Sequence, residues 1–403
     1  MKAALLTIGN EILSGDTINT NSSWISKTLK GAGCQVVCQL TIPDSKQQIT
    51  KGLDQLFSQS PDLIISTGGL GPTTDDVTRE SLFDYFNTKS KFDDDYWNEL
   101  KIRFSRFGHD IPESNRSQAL VPKAGKVFSN PIGSARGLRF EKDQVTFMAL
   151  PGVPIEMKAM IKATVLPWVK EHAPVATYVQ TLRTTGLPES VLIEKIDSVA
   201  KTDHGCEMGY YPSVYGVDIV LSSTHKESIY HLKNELLSIL GTLVYTVGEE
   251  TMEEIVVHSL IRKKQTIASA ESCTGGLVGH RLTQVPGSSK VYLGGVIVYS
   301  NMAKIDLLKV KKSTLTRFGS VSEETAGEMS QEVMKQFKTS LGISVTGIAG
   351  PGGGTDNKPI GLVYVGLANA NGVKTREFQF GDERKTNKLR TSQAVLNWIR
   401  LQN

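Results

Sequence analysis

"STGGLGPTTDDVT", residues 66–78, follows the apolar run Leu63-Ile64-Ile65. A short run of β-branched residues that breaks into glycine and proline reads as a buried strand entering a turn. The apolar periodicity that resumes at Val77 predicts a helix over 77–86. Strand, glycine turn, helix is an order that aims backbone N–H groups at an anion. Gly68, Gly69 and Gly71 let the backbone approach a phosphate closely. Asp75 and Asp76 have two readings. One of them can cap the next helix, or the pair can face a hard metal such as Mg²⁺ beside the phosphate.

Outward from this turn, the first part of the chain alternates strand and helix patterns, as a βαβ sheet does. Strands are predicted over 3–8, 35–41, 63–66 and 145–150. A helix capped by Asn21 runs to Leu29, and another follows Asp44 with Ile49, Leu53, Leu56 and Phe57 on one face. The prolines of "PGVPIEM", 151–157, start a further helix. Strands buried on both faces predict a parallel or mostly parallel sheet. "PWVKEHAPVATYV", with Pro167 and Pro174, marks a boundary. Residues 178–247 then read strand, helix, strand, helix, strand, and a new βα series starts at Glu249. The expected fold class is α/β: two α/β sheet domains, 1–170 and 249–403, joined by a small α+β unit, 171–248.

The bulk numbers agree. A chain of 403 residues is too long for one ordinary core. With 45 basic and 41 acidic side chains, the net charge of +4 makes no case for nucleic-acid or membrane binding. Cys34, Cys38, Cys206 and Cys273 lack metal-site or disulfide spacing and suit a reducing cytosol, so a cytoplasmic location is expected. The apolar patch in "MKAALLTIGNEIL" is too short for a signal peptide.

"ASAESCTGG", 268–276, repeats the theme of a short apolar run ending in small residues. Ser272 at such a turn is either a helix N-cap or a nucleophile. Cys273 beside it is the better intrinsic nucleophile. No motif offers a nearby histidine, and His280 reads as a residue on a helix face. A serine without histidine needs another base, and "VYSNMAK", 298–304, offers Tyr299 and Lys304. A buried lysine with a lowered pKa can take a serine proton.

The motifs also resemble a known family. "TGGLGPTTDDVT" is similar to the glycine and Asp-Val-Thr motif of MoaB/MogA-like, molybdopterin-binding-type domains. "TIGNEILSGDTINTNSSWIS", "GSARG" at 133–137 and "ALPGVPIEM" at 149–157 resemble the N-terminal domain of the CinA family more narrowly. This resemblance implies loops gathered at the C-terminal ends of the strands, with Asn10, Glu11, Asp44 and Asp76 among them, where an open α/β sheet binds its ligand. It implies hydrolysis of ADP-ribose at the pyrophosphate, with a divalent metal held by Asp75, Asp76 or both. "AESCTGG", "YSNMAK", "VSEETA", "SVTGIAGPGGG" and "KPIGLVYVGLA" follow in the order of the CinA C-terminal domain, which also occurs alone as a PncC-type nicotinamide mononucleotide deamidase. The resemblance implies Ser272 as nucleophile, Lys304 as base and Tyr299 as the hydrogen-bonding partner of the lysine, without a metal. Thr274, Gly275, Thr346, Gly347 and Gly350 would meet the substrate. In "FGDERKTNKLR", Arg384 and Arg390 compete for its phosphate.

"TTGLPES", 184–190, resembles the KH-like insert of the same family. A nucleic-acid KH unit clamps backbone with a GxxG loop, and Gly205 and Gly209 are four apart. The unit reads as a spacer or dimer-forming element, and a homodimer is expected. Two rival readings stand: a pterin-binding transferase at the N-terminal site, and a non-catalytic adaptor in competence or recombination.

Overall fold

The computed structural model describes residues 1–173, 177–381 and 383–402. Pro174, expected near the first domain boundary, and Asp382 of the "FGDERK" stretch lie outside the described residues. The chain divides into two compact units: Met1–Val179 with Ser223–His225, and Gln180–Ser222 with Lys226–Asn403.

In the first unit six strands form one sheet, in the order Gln35–Ile42, Lys2–Ile8, Leu63–Thr67, Val145–Leu150, Gly137–Lys142, Lys126–Phe128. The first four are parallel, and Gly137–Lys142 pairs antiparallel with both Val145–Leu150 and Lys126–Phe128. Side chains alternate between two cores. Ala4, Leu6, Ile64, Phe147 and Ala149 face one, while Ala3, Leu5, Leu63, Ile65, Met148 and Leu150 face the other. Every residue of Leu63–Thr67 is buried, because helices cover both faces. Lys2–Ile8 lies between the strand that comes next in the chain and Leu63–Thr67, so the chain leaves it in opposite directions. That reversal opens a crevice at the C-terminal strand ends.

Two predicted caps are corrected. Asn19, not Asn21, caps the helix Thr20–Lys30 by accepting the Ser22 N–H, while Asn21 donates to the Gly152 carbonyl at 2.7 Å. Asp44 does not cap the helix Lys46–Phe57, whose N-cap is Ser45; it accepts the Asn10 backbone N–H at 3.0 Å. The helix Asp94–Ser105, with Asp93 as its cap, escaped the sequence reading.

In the second unit a five-stranded sheet runs Tyr292–Ile297, Ile267–Glu271, Leu341–Gly347, Leu362–Asn369, Gly372–Gln379. Its first three strands are parallel and the last two pair antiparallel. A four-stranded sheet has the order Glu207–Ser213, Gly216–Ser223, Tyr178–Thr184, Val244–Val247. Its edge strand Glu207–Ser213 pairs antiparallel with Gly216–Ser223 and was not expected; the exposed Tyr211 and Pro212 mask the alternation. This small sheet has its own core around Leu182, Leu221 and Leu236, yet it is tied to the C-terminal α/β domain. Arg183 donates to the carbonyls of Glu249 and Glu250, and the Arg281 guanidinium lies 4.7 Å from the Tyr215 ring centroid. Among the described residues no helix is long and apolar enough to cross a membrane.

Candidate functional site

In the first unit the loops after four parallel strands converge. Gly68 passes so close to the first strand that a Cβ would sit 2.0 Å from the Ile8 carbonyl oxygen, and its φ of +109° also demands glycine. A Cβ on Gly69 would strike the Thr78 hydroxyl and lie 3.4 Å from Asp44 Oδ1. Asp44 thus stands between the first loop and the glycine turn. Burial pushes its carboxyl up, and the negative charges of Glu11, Asp76 and Asp75 add to that. A cation placed here would relieve this repulsion.

The two adjacent aspartates do different things. Asp76 folds back on the turn, accepting the Thr73 N–H at 2.9 Å and the Thr73 hydroxyl. Asp75 is exposed, and the polar donors of the turn beside it, Thr73 foremost, hold its carboxyl below the usual range. Neither caps the following helix Thr78–Tyr85, whose N-cap is Val77. Among the described residues no three acidic, histidine or cysteine side chains form a ready-made metal site. A Mg²⁺-like ion would be held here by one or two carboxylates, with phosphate oxygens and water in the remaining positions, as Mg²⁺ usually is. Glu156 was missed by sequence reasoning. Its carboxylate accepts from Asn130 Nδ2 at 2.6 Å and packs where a Gly133 Cβ would be, bracing the "GSARG" loop. A larger cleft of about 920 Å³ touches Asp62 and Gln144, at the opposite strand ends, and no candidate residue lines it.

In the second unit Ser272 directly follows the strand Ile267–Glu271, and its N–H donates to the Val345 carbonyl at 2.9 Å. It is not a helix cap; the N-cap of Leu277–Thr283 is Gly276, at φ +94°. The turn is held instead by Glu271. Its buried carboxylate accepts the Thr274 hydroxyl at 2.7 Å and the N–H groups of Gly276, Val278 and Gly279 at 3.0, 3.1 and 2.9 Å. Four donors, three from a helix start, compensate the buried charge. Sequence reading passed over Glu271, although an acid at the end of a buried strand was the available signal.

Lys304, on the helix Asn301–Leu308, is only 1% exposed. Its Nζ lies 3.1 Å from Ser272 Oγ and donates to the Val298 carbonyl at 2.8 Å. Burial pushes its pKa down, because the ammonium loses water and gains no carboxylate. Cys273 packs against the apolar core while also bordering the cavity at Ser272, and burial pushes its thiol up to about 12. At neutral pH it is a thiol packed among hydrophobic side chains, so the serine is the available nucleophile.

The remaining expected residues divide. A cavity of about 480 Å³ is lined by Ser272, Lys304, Tyr299, Thr346, Gly347, Gly350 and Arg384, and also by Lys358. Tyr299 does not partner Lys304. Its exposed hydroxyl accepts from Arg384 Nη2 at 2.8 Å, and Arg384 Nη1 donates to the Gly350 carbonyl at 2.9 Å. Arg384 therefore sits at the cavity and Arg390 does not line it. Thr274 is fully buried on Glu271, and Gly275 is exposed at φ +63°; both shape the turn rather than line the cavity. His280 is exposed, as expected of a face residue.

These features define a class: an α/β chain with a serine on a strand-to-helix turn, a buried lysine against it, and a separate glycine-turn crevice ringed by acids. The chain belongs to the CinA family. Residues 4–171 match the family model described as "Probable molybdopterin binding domain", 179–246 the "Damage-inducible protein CinA KH domain" and 249–402 the "CinA C-terminal domain". A relative from Caldicellulosiruptor bescii is 38% identical over 407 residues, covering 99% of this chain and 98% of its own. One from Clostridium kluyveri is 41% identical over 411 residues, covering 100% of each. Both bear names describing competence-damage inducible proteins. The crystal structure of competence/damage inducible protein CihA from Agrobacterium tumefaciens is similar over 38% of this chain and 96% of its own, at 37% identity and a TM-score of 0.36.

Proposed function

We propose that the second unit hydrolyses the carboxamide of nicotinamide mononucleotide. The observation that carries this reading is the buried Lys304 amine 3.1 Å from Ser272 Oγ. In its neutral form the lysine has a lone pair for the serine proton and keeps an N–H for the Val298 carbonyl. The serine oxygen attacks the amide carbon, and the proton taken by Lys304 passes to the departing nitrogen, releasing ammonia. Water then attacks the acyl-serine, giving up a proton to Lys304. The serine recovers that proton as the nicotinate product leaves. Arg384 at the same cavity supports a phosphate-bearing substrate. Ser272→Ala should abolish ammonia release while Cys273→Ala retains most of it; the reverse pattern would move the nucleophile to the thiol.

For the first unit we propose metal-dependent cleavage of the ADP-ribose pyrophosphate. The crowding of Asp44 by Glu11, Asp75 and Asp76 supports it. Asp44 and Asp76 would hold the ion, which would neutralise phosphate charge. The backbone at Gly68–Gly71 would seat the phosphates. Formation of AMP and ribose 5-phosphate from ADP-ribose tests this, and binding of a pterin without cleavage would favour the transferase reading. A homodimer is part of the same proposal, and light scattering at micromolar concentration checks it.

A further inference from the structure

The amidase reading assigns Ser272, Lys304 and Arg384 but leaves a third cation of the same cavity unused. Lys358 lies in the segment between the strands Leu341–Gly347 and Leu362–Asn369 and reaches across to the loop after the helix Lys312–Phe318. Its Nζ donates to the carbonyls of Phe318 and Val321, each at 2.6 Å. These carbonyls flank Gly319 and Ser320, which themselves line the cavity. Gly319 has φ +83°, and a Cβ there would come within 3.0 Å of the Lys358 nitrogen. The ammonium is thus fixed in place, with little room on the Gly319 side.

An ammonium has three N–H donors. Two are spent on the carbonyls, and among the described residues no carboxylate is paired with the charge: the described cavity lining holds Lys304, Lys358 and Arg384 and no aspartate or glutamate. Burial pushes the Lys304 amine down, and Lys358 and Arg384 are the other basic side chains of the cavity. A phosphate monoester carries nearly two negative charges at neutral pH. Arg384 has donors left beyond those given to Gly350 and Tyr299.

We infer that Lys358 is a specificity-determining residue that, together with Arg384, binds the anionic phosphate of the substrate and selects nucleotide over nucleoside. This rests on the amidase reading for its substrate, but the anion site itself does not. The two carbonyl bonds orient the ammonium so that its remaining donor serves the ligand. The same bonds explain why a lysine, with a point charge and three donors, stands here rather than an arginine.

The test compares full-length wild type with Lys358→Gln and Lys358→Arg, after melting curves show which variants are folded. The glutamine amide can still donate to the carbonyls but carries no charge. The readout is the ratio of kcat/KM for nicotinamide mononucleotide to that for nicotinamide riboside, which lacks the phosphate. Loss of a charge-assisted hydrogen bond should lower this ratio about 10- to 100-fold in Lys358→Gln, through KM. Lys358→Arg should recover part of it. An unchanged ratio, with both substrates slowed alike, would overturn the inference and leave Lys358 as a loop clamp. If wild type releases ammonia from neither compound, the amidase reading fails. Inorganic phosphate then decides the inference: stabilisation over chloride at matched ionic strength, reduced in Lys358→Gln, upholds it, and equal stabilisation overturns it. Should Lys358→Gln not fold, Lys358→Met replaces it; if that too is unfolded, Lys358→Arg decides, because unaltered selectivity and phosphate response with the displaced charge would overturn the role.

Discussion

Replacing Lys304 by methionine should remove activity and leave the fold intact, with a pH signature of its own. Lys304 is buried, and its Nζ makes one bond to the Val298 carbonyl and one contact with Ser272 Oγ. Methionine keeps most of the stem and loses both. The orphaned Val298 carbonyl costs about 1–3 kcal/mol. Against this, the wild type bears the desolvation of an amine whose pKa is pushed down, and each unit of such a depression is worth about 1.4 kcal/mol. The sign is set by proton binding. Between the lowered native pKa and the ordinary lysine value, the unfolded chain holds a proton that the native chain does not. Wild-type stability therefore rises with pH across that window relative to Lys304→Met, and the variant gains on the wild type as pH falls through it. Denaturant unfolding of both proteins from pH 7 to pH 10 measures this. Ammonia release should fall by about 10²–10⁴-fold, the usual worth of a positioned base. A variant that loses stability against wild type as pH falls would mean that Lys304 is a paired native cation. Retained activity at neutral pH would remove it from the mechanism altogether.

The same geometry bears on three other perturbations. Ser272→Ala should release no ammonia at any pH, whereas Cys273→Ala should stay active while losing roughly 1–2 kcal/mol of stability for its buried sulfur; colorimetric ammonia assay and melting check both. Glu271→Gln should cost about 2–4 kcal/mol, because an amide cannot accept all four donors now on the carboxylate; an unchanged denaturation midpoint would show that the turn holds without it. Chelation of divalent metal should stop ADP-ribose cleavage and spare ammonia release, and Asp76→Asn should impair only the former; parallel loss of both activities would argue against independent sites.

The alternation of short apolar runs with glycine turns was legible because parallel strands covered on both faces show as continuous hydrophobic segments. Leu63–Thr67 and Val145–Leu150 are the plainest cases. The strand-to-helix position of Ser272 was legible for the same reason. What could not be read was set by contacts distant in sequence. The partner of Tyr299 is Arg384, 85 residues away, rather than the nearby Lys304. The cap of the helix after Asp44 failed because the Asp44 side chain is drawn to Asn10, 34 residues earlier. Glu271 is the local exception: its position at the end of a buried strand was a signal, but its four donors, three to eight residues ahead, reach it only once the turn has closed. The helix Asn301–Leu308 carries Lys304 inward while leaving Met302 and Leu307 exposed, so its apolar pattern does not mark a buried face. Thr274, in the "AESCTGG" motif, is buried against Glu271 and does not line the cavity.

The two candidate sites share an architecture and invert its electrostatics. Each lies at the C-terminal ends of parallel strands beside a glycine turn, although in the second unit the turn's N–H groups are already given to Glu271. In the first unit the side chains around that turn are Glu11, Asp44, Asp75 and Asp76; burial pushes Asp44 up, and the charges of the other three add to that. A pyrophosphate approaching alone would meet the same repulsion; a divalent cation turns it into attraction. In the second unit the cavity presents Lys358 and Arg384 with no carboxylate among its described lining residues, so a phosphate monoester needs no bridging ion. Under the proposed functions, this opposition leads us to expect metal dependence at one site and phosphate affinity without metal at the other. It also fixes how salt should act. Raising ionic strength screens the exposed arginine at the rim of the second cavity, weakening nucleotide binding through KM, while the buried Ser272–Lys304 pair keeps kcat.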